Sequence, residues 1–360
     1  MTRMSKNKVL YISNIEVPYR TKFFNLLGKE CDLTVLYERK QSSNRDATWT
    51  SSEQSTYKKE YLSGIKYGNE RIFSFSILKY IFGKYDKVIV GCFNNPVQML
   101  AILAMKITHR EYYVNVDGKT FDTGNPIKRA MRRFFLRGAK AYFCAGEKAS
   151  DGLREFVGED KAIYPYLFSS MNEKELLEKE RTKAQERNNK ILVVGQYEDY
   201  KGLDIAAQVA KQTPNLNYTF VGMGKKDKEF KAYLDNQGIQ NIEVISFLQK
   251  EDLEELYGTY GILILPSRQE CWGLVINEAA SFGMPIVSTW GSGAAEEFLS
   301  PQYDKYLAKP EKVDELKRCV EELTGSTEQE KEEYSIYLYN KNKSYFIEEN
   351  VSCFVKGLEE

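Results

Sequence analysis

The 360 residues amount to 41.6 kDa, about twice the usual domain size, which favours two domains with full hydrophobic cores and excludes a peptide hormone or a lone binding module. Hydrophobic residues at 42% and charged residues at 28%, with 24 Gly and 9 Pro, describe a folded globular chain rather than a disordered or fibrous one. Net charge is zero, yet residues 1–170 hold 28 basic and 17 acidic residues (+11) and residues 171–360 hold 23 and 34 (−11), so the two halves are oppositely charged.

The chain opens with MTRMSKNK running directly into the strand-like VLYIS, without an apolar region and small-residue cleavage site, so export by that route is not expected. Strands are predicted at 9–13, 33–37, 88–91, 112–116 and 141–145, then at 191–195, 218–222, 243–247, 262–266 and 285–288, with helical patterns between them. That alternation means βαβ units, and near-continuous apolar runs such as ILVVG and GILILP belong to strands covered on both faces. The predicted class is α/β, with two doubly wound, Rossmann-like domains. The longest mostly apolar stretch, VQMLAILAM at 97–105, is far shorter than the roughly 20 residues needed to span a bilayer.

Residues 127–140, IKRAMRRFFLRGAK, lie on a helix with Lys128, Arg129, Arg132, Arg133, Arg137 and Lys140 on one side and Ile127, Met131, Phe134 and Phe135 on the other. Such a basic amphipathic helix suits an anionic membrane surface; it equally suits a domain helix that packs its Phe face on the sheet and solvates its charges. Nucleic acid is not expected, because no stacking platform accompanies the cations. The polar stretch at 169–190 marks a domain boundary, giving 1–170 and 171–333 as domains, and a Tyr-rich segment at 334–360 reads as one or two amphipathic helices. Tandem α/β domains place a ligand cleft where the carboxyl ends of their sheets meet.

Six cysteines, at 31, 92, 144, 271, 319 and 353, show no CxxC or paired spacing and read as reduced cytosolic thiols. With His109 the only histidine, a Ser-His-Asp triad or a multi-His metal site has too little material, and His109 itself reads as a surface or helix-end residue. A Rossmann oxidoreductase lacks its strand-linked GxGxxG.

The most informative stretch is PSRQECWGLVINEAASFGMPIVS at 266–288. A buried strand ends at Pro266, a loop carries Glu270, and a helix is predicted from about Gly273 to Phe282. Its first amides, those of Gly273, Leu274 and Val275, lack intrahelical partners and sit at the positive end of the helix dipole, which suits phosphate. Glu278, one turn in, leans back towards those amides and can accept hydrogen bonds from vicinal ribose hydroxyls; Glu270 can accept them from sugar hydroxyls.

This Glu-x7-Glu pattern around WGLV, followed by a small-residue helix and GMPIV, resembles the retaining glycosyltransferases of family 4, which have the GT-B fold of two Rossmann-like domains facing a central cleft. ILVVGQYEDYKG at 191–202 resembles the family's strand, Gly-Arg loop and Lys-Gly element that clamps the nucleotide diphosphate: Gly195 and Lys201 match, and Gln196 stands at the arginine position. A neutral amide does not offset phosphate charge, which shifts that role to Lys201 and the helix amides, with Arg268 as a further cation. By the same resemblance, Gly222 and Gly224 of TFVGMG turn the chain beside the donor, the backbone near Ser246 and Phe247 lies beside the nucleobase, and Gly291, Gly293 and Glu296–Glu297 complete the run. The match covers 190–298. The first half departs from it: Pro18 and Tyr19 stand in place of a Gly-Gly loop, and Asp117 ends a strand where many relatives carry a histidine. Asp117 is therefore either an acceptor-hydroxyl contact or proton acceptor, or only the first residue of an Asp-Gly turn.

The resemblance implies a metal-independent, retaining transferase without a cofactor that moves a hexose-type sugar from a nucleoside-diphosphate donor, a UDP sugar, to a glycan or lipid-linked glycan in bacterial surface or capsular polysaccharide synthesis. Arg129, Arg132, Arg133 and Arg137 are expected to face the membrane or acceptor, and the location is cytoplasmic, at the inner membrane face. A nucleotide-sugar epimerase of the same fold and a catalytically silent, sugar-nucleotide-binding partner remain as alternatives. The C-terminal helices are expected to cross back to the first domain.

Overall fold

The computed structural model describes residues 7–39, 54–67, 71–91, 93–119 and 124–360. The leading MTRMSK, Cys92 and Thr120 lie outside the described residues. The chain divides into two compact units, one formed by residues 1–171 together with 346–360 and the other by residues 172–345.

In the first unit the elements are β1 (Lys8–Ile15), α1 (Pro18–Glu30), β2 (Asp32–Arg39), β3 (Lys58–Tyr61), β4 (Ile65–Tyr67), β5 (Arg71–Phe73), α2 (Ile77–Ile81), β6 (Lys87–Val90), α3 (Pro96–Ile107), β7 (Tyr113–Val116), α4 (Pro126–Leu136), β8 (Ala141–Ala145), α5 (Glu147–Val157) and β9 (Ala162–Tyr166). Seven of the strands form a parallel sheet in the order β3-β2-β1-β6-β7-β8-β9, while β4 and β5 pair antiparallel on their own. Proline opens α1, α3 and α4, where its missing N–H is no loss. One face of the sheet is aliphatic, with Leu10, Ile12, Val88 and Val90 against Val97 and Ile102 of α3. Tyr11, Phe24, Tyr37 and Phe143 form a separate buried aromatic set.

The second unit holds α6 (Glu173–Leu177), β10 (Ile191–Val194), α7 (Leu203–Gln212), β11 (Tyr218–Val221), α8 (Asp227–Gln237), β12 (Ile242–Ile245), α9 (Lys250–Thr259), β13 (Ile262–Leu265), α10 (Leu274–Ala280), β14 (Ile286–Thr289), α11 (Gly293–Leu299), β15 (Leu307–Ala308), α12 (Val313–Gly325) and α13 (Glu328–Asn342). Its parallel sheet runs β12-β11-β10-β13-β14-β15. Every residue of β10, β11, β13 and β14 is buried, which explains their unbroken apolar sequences. In both sheets the order reverses beside the first strand, between β1 and β6 and between β10 and β13. The carboxyl ends of those strand pairs are where open α/β sheets hold ligands.

The C-terminal stretch 334–360 divides between the units. Helix α13, closed at its start by a reciprocal capping box between Thr327 and Glu330, belongs to the second, and only α14 (Ile347–Glu359) belongs to the first. There Phe354 stacks on Phe143 with ring centroids 4.0 Å apart. Helix α10 is also shorter than the predicted 273–282, because Ser281 and Phe282 turn towards Gly283.

Candidate functional site

The second unit gathers most of the predicted site at the carboxyl ends of β10 and β13. Gly195 and Gln196 follow β10, and a 3-10 turn over Asp199–Lys201 hands the chain to α7 through Gly202. Gly202 has φ +67°, and a Cβ there would stand 2.2 Å from the Pro266 carbonyl oxygen, so only glycine lets this turn lie against the end of β13. The close approach carries Lys201 to Glu270: its Nζ donates to Oε1, and each side chain is only 15% exposed. Ser267 Oγ donates to the other carboxylate oxygen at 2.7 Å. The Glu270 backbone is fixed by its N–H to Gly291 O (2.8 Å) and by Gly293 N–H to its own carbonyl (3.1 Å).

Gly273 caps α10 with φ +110°, its would-be Cβ 3.0 Å from Leu265 Cδ2, and this folds the loop back so that the first-turn amides of Leu274 and Val275 open at the same end of the sheet. Gly222 follows β11. Gly224 sits close to the Gln196 amide, and Phe247, 43% exposed, follows β12 and lies outside the strand predicted to contain it. Glu278 is half-buried on α10 and accepts a hydrogen bond from Tyr257 Oη at 3.0 Å. Desolvation raises its carboxyl above the ordinary value, against the lowering effect of that hydrogen bond.

Arg268 differs from its expected role as a further phosphate cation. It is engaged by carboxylates, with Nη1 and Nη2 on Asp204 (2.8 and 2.6 Å) and Nε on Glu311, and Nη1 also donates to the Asp199 carbonyl (2.6 Å). The hydrogen bonds to Asp204 raise its pKa further against the opposing effect of burial, so the guanidinium braces the Asp199–Lys201 turn.

In the first unit Asp117 ends β7, and three donors meet on its Oδ1: Arg20 Nη2, Asn115 Nδ2 and Tyr166 Oη, the last at 3.1 Å. It is therefore more than a turn residue. Sequence reasoning missed Arg20 and Tyr166, because an arginine one turn into a helix and a tyrosine ending a strand read as a solvated charge and as core. His109 stands exposed after α3 with φ +52°.

Helix α4 stops at Leu136, so Arg137 and Lys140 leave it. Arg137 Nε donates to Phe156 O (3.1 Å), Arg133 Nη2 donates to Glu155 O (3.2 Å), and the Arg132 guanidinium lies over the ring of Phe156. Arg129, with Lys128, stays exposed. The predicted alternative of a Phe face packed on the sheet is not what the helix does. Leu136 is its only buried residue, and Ile127, Met131 and Phe134 are 71%, 49% and 51% exposed. Among the described residues no helix is long and apolar enough to cross a membrane.

Comparison with known proteins follows this division. An uncharacterized glycosyltransferase of Haemophilus influenzae is 28% identical over 189 residues, 51% of either chain. The lipopolysaccharide glucosyltransferase WaaG of Escherichia coli is 27% identical over 161 residues, 43% of this chain and 42% of its own. The chain thus spans about half the length, or less, of the curated relatives it matches. The solved structure of Anabaena HepE in complex with UDP-glucose superposes with a TM-score of 0.72 at 14% identity, covering 98% of this chain and all of that one, which establishes the GT-B type of fold. Residues 175–340, nearly the whole second unit and all of the Lys201–Glu270 site, match the family Glycosyl transferases group 1.

Proposed function

We propose that the protein is a retaining, metal-independent glycosyltransferase that takes a sugar from a UDP sugar to a hydroxyl of a glycan or lipid-linked glycan in polysaccharide synthesis. The observation that carries this reading is the Lys201–Glu270 pair at the strand-order reversal of the second unit, inside the stretch that matches the group 1 family. Lys201 and the amides of Leu274 and Val275 stabilise the departing diphosphate, a fixed electrostatic site that needs no rearrangement as charge develops. Glu270, held by Ser267, orients the sugar through its hydroxyls, and Glu278 accepts from the ribose. No side chain acts as covalent nucleophile: the acceptor oxygen attacks from the face that the diphosphate leaves, and the departing phosphate oxygen takes the acceptor's proton. HepE, solved with UDP-glucose, supports UDP as the nucleotide.

The reading extends to a cytoplasmic enzyme resting on an anionic membrane face through α4. Exposed Ile127, Met131 and Phe134 beside Lys128, Arg129 and Arg133 have the composition of an interfacial helix, and the excess positive charge of residues 1–170 adds long-range attraction.

Titration calorimetry with UDP and measurement of UDP release from a panel of UDP sugars test the proposal. Binding of UDP and turnover of at least one sugar nucleotide are expected, with turnover lost in Lys201→Ala and Glu270→Ala. Turnover unaffected by both substitutions refutes the mechanism, and UDP binding without turnover identifies a silent partner instead.

A further inference from the structure

Asp117 is held asymmetrically. Arg20, Asn115 and Tyr166 all donate to Oδ1, whereas Oδ2 accepts no hydrogen bond from any described residue, and the side chain keeps 39% exposure. The donors themselves are interior: Arg20 is 6% exposed, Asn115 1% and Tyr166 2%. Arg20 is further confined between the rings of Phe23 and Phe168, its guanidinium carbon 5.7 and 5.3 Å from their centroids. Burial works against the guanidinium charge, and the Asp117 carboxylate more than restores it. A purely structural ion pair at this depth gains most when the arginine fork engages both carboxylate oxygens. Here three buried donors converge on one oxygen of a residue at a strand's carboxyl end and turn the other outward.

We propose that Arg20, Asn115 and Tyr166 are positioning residues that hold Asp117 so that Oδ2 accepts a hydrogen bond from the attacking hydroxyl of the sugar acceptor. The proposal rests on the transferase reading above and adds the acceptor's contact to it. Arg20 already balances the carboxylate charge, so Oδ2 suits a neutral hydroxyl donor better than a second cation. Anchoring Oδ1 three times removes rotation about the carboxylate, so the lone pairs of Oδ2 keep one direction, which is what orienting a nucleophile requires. Asp117 takes no proton in the step. It fixes the hydroxyl while the departing phosphate oxygen receives the proton.

The experiment measures UDP release from whichever of UDP-glucose, UDP-galactose and UDP-N-acetylglucosamine the wild type turns over, with water standing in for the acceptor, and measures UDP affinity alongside. Asp117→Asn, which keeps the shape, is expected to lose tenfold or more in turnover with UDP affinity within twofold of the wild type. Tyr166→Phe, which opens no cavity, is expected to lose about threefold. Arg20→Ala is expected to fall as far as Asp117→Asn and to recover in part with millimolar guanidinium chloride, a rescue that a merely structural arginine would not give once near-UV circular dichroism shows the fold intact. Asp117→Asn turnover within twofold of the wild type overturns the proposal, as does an Arg20→Ala defect that guanidinium leaves unchanged while Tyr166→Phe stays at wild-type rate. A wild type that turns over no UDP sugar refutes the transferase reading itself, which distinguishes that failure from this one.

Discussion

Replacing Glu270 with glutamine separates the two tasks of its site. In the free protein the Lys201 ammonium is held by the Glu270 carboxylate, both side chains 15% exposed. At about 4 Å and an effective dielectric near 20, such a pair attracts by about 4 kcal/mol, and desolvation offsets more than half of that. A diphosphate must draw Lys201 away from this partner, so the pair opposes UDP binding by about 1–2 kcal/mol. Glu270→Gln keeps the hydrogen bond from Ser267 Oγ and removes the competing charge, so UDP is expected to bind about 5- to 30-fold more tightly. Turnover of the sugar nucleotide falls in the same variant by a hundredfold or more, because the charged acceptor that orients the sugar is gone. Lys201→Met acts in the opposite direction on binding, weakening UDP about tenfold or more, and the double variant returns towards Lys201→Met, since there is no ammonium left to release. Titration calorimetry of the four proteins at fixed ionic strength measures the cycle. Weaker UDP binding in Glu270→Gln, or no coupling between the two substitutions, refutes the reasoning.

Gly202→Ala forces a side chain into the left-handed region at φ +67° and against the Pro266 carbonyl, 2.2 Å from the new Cβ; thermal unfolding is expected to show a loss of at least about 2 kcal/mol, with weaker UDP binding as the Lys201 turn shifts. Burial raises the Glu278 carboxyl above its ordinary 4.5, so its ionisation opposes folding: this stabilisation is full below that value and is lost as pH rises through the raised one. Glu278→Gln should flatten that part of the stability curve, and an unchanged curve counts against the assignment. On α4, Arg129→Glu with Arg132→Glu and Arg133→Glu should weaken binding to vesicles containing anionic lipid by roughly a hundredfold, at about 1 kcal/mol per basic residue, and Ile127→Ser with Phe134→Ser should weaken what survives at high salt. Flotation indifferent to salt and to both sets of changes removes the membrane role. Burial pushes the thiols of Cys319 and Cys353 up to about 11, whereas Cys271 is exposed. Among the described cysteines, iodoacetamide at pH 8 should modify Cys271 first, and mass spectrometry that finds Cys353 labelled as fast contradicts the packing of α14.

The strands were legible because a sheet buried on both faces requires continuous apolar runs, and the ILVVG and GILILP segments state that directly. The loop from Pro266 to Gly273 was legible because its residue types are fixed by chemistry and by close backbone approach. Less accessible was anything decided by a distant partner. Arg268 looks like an available cation until Asp204 and Glu311, 64 and 43 positions away, are found around it. Arg20 reads as a solvated helix charge until Asp117, 97 positions on, meets it in the interior. Periodicity sorted α4 into a basic and an apolar side, but it does not say which side the rest of the protein covers, and here Ile127, Met131 and Phe134 stay uncovered.

The return of α14 to the first unit has a consequence for the chain as an object to be cut. The last residue of the outgoing segment and the first turn of the incoming one are joined directly, Ile347 N–H donating to the Met171 carbonyl at 2.9 Å. The second unit is therefore an insertion in a continuous first unit, entered and left through adjacent points. A stop codon placed after Tyr345 should spoil the N-terminal half of the protein, whose aromatic layer would lose Phe354, and leave the C-terminal half folded. Conversely, joining residue 171 to 346 through a linker of a few glycines should yield the first unit as an independent domain, and residues 172–345 should express as the other, so that acceptor and nucleotide binding can each be measured on half a protein.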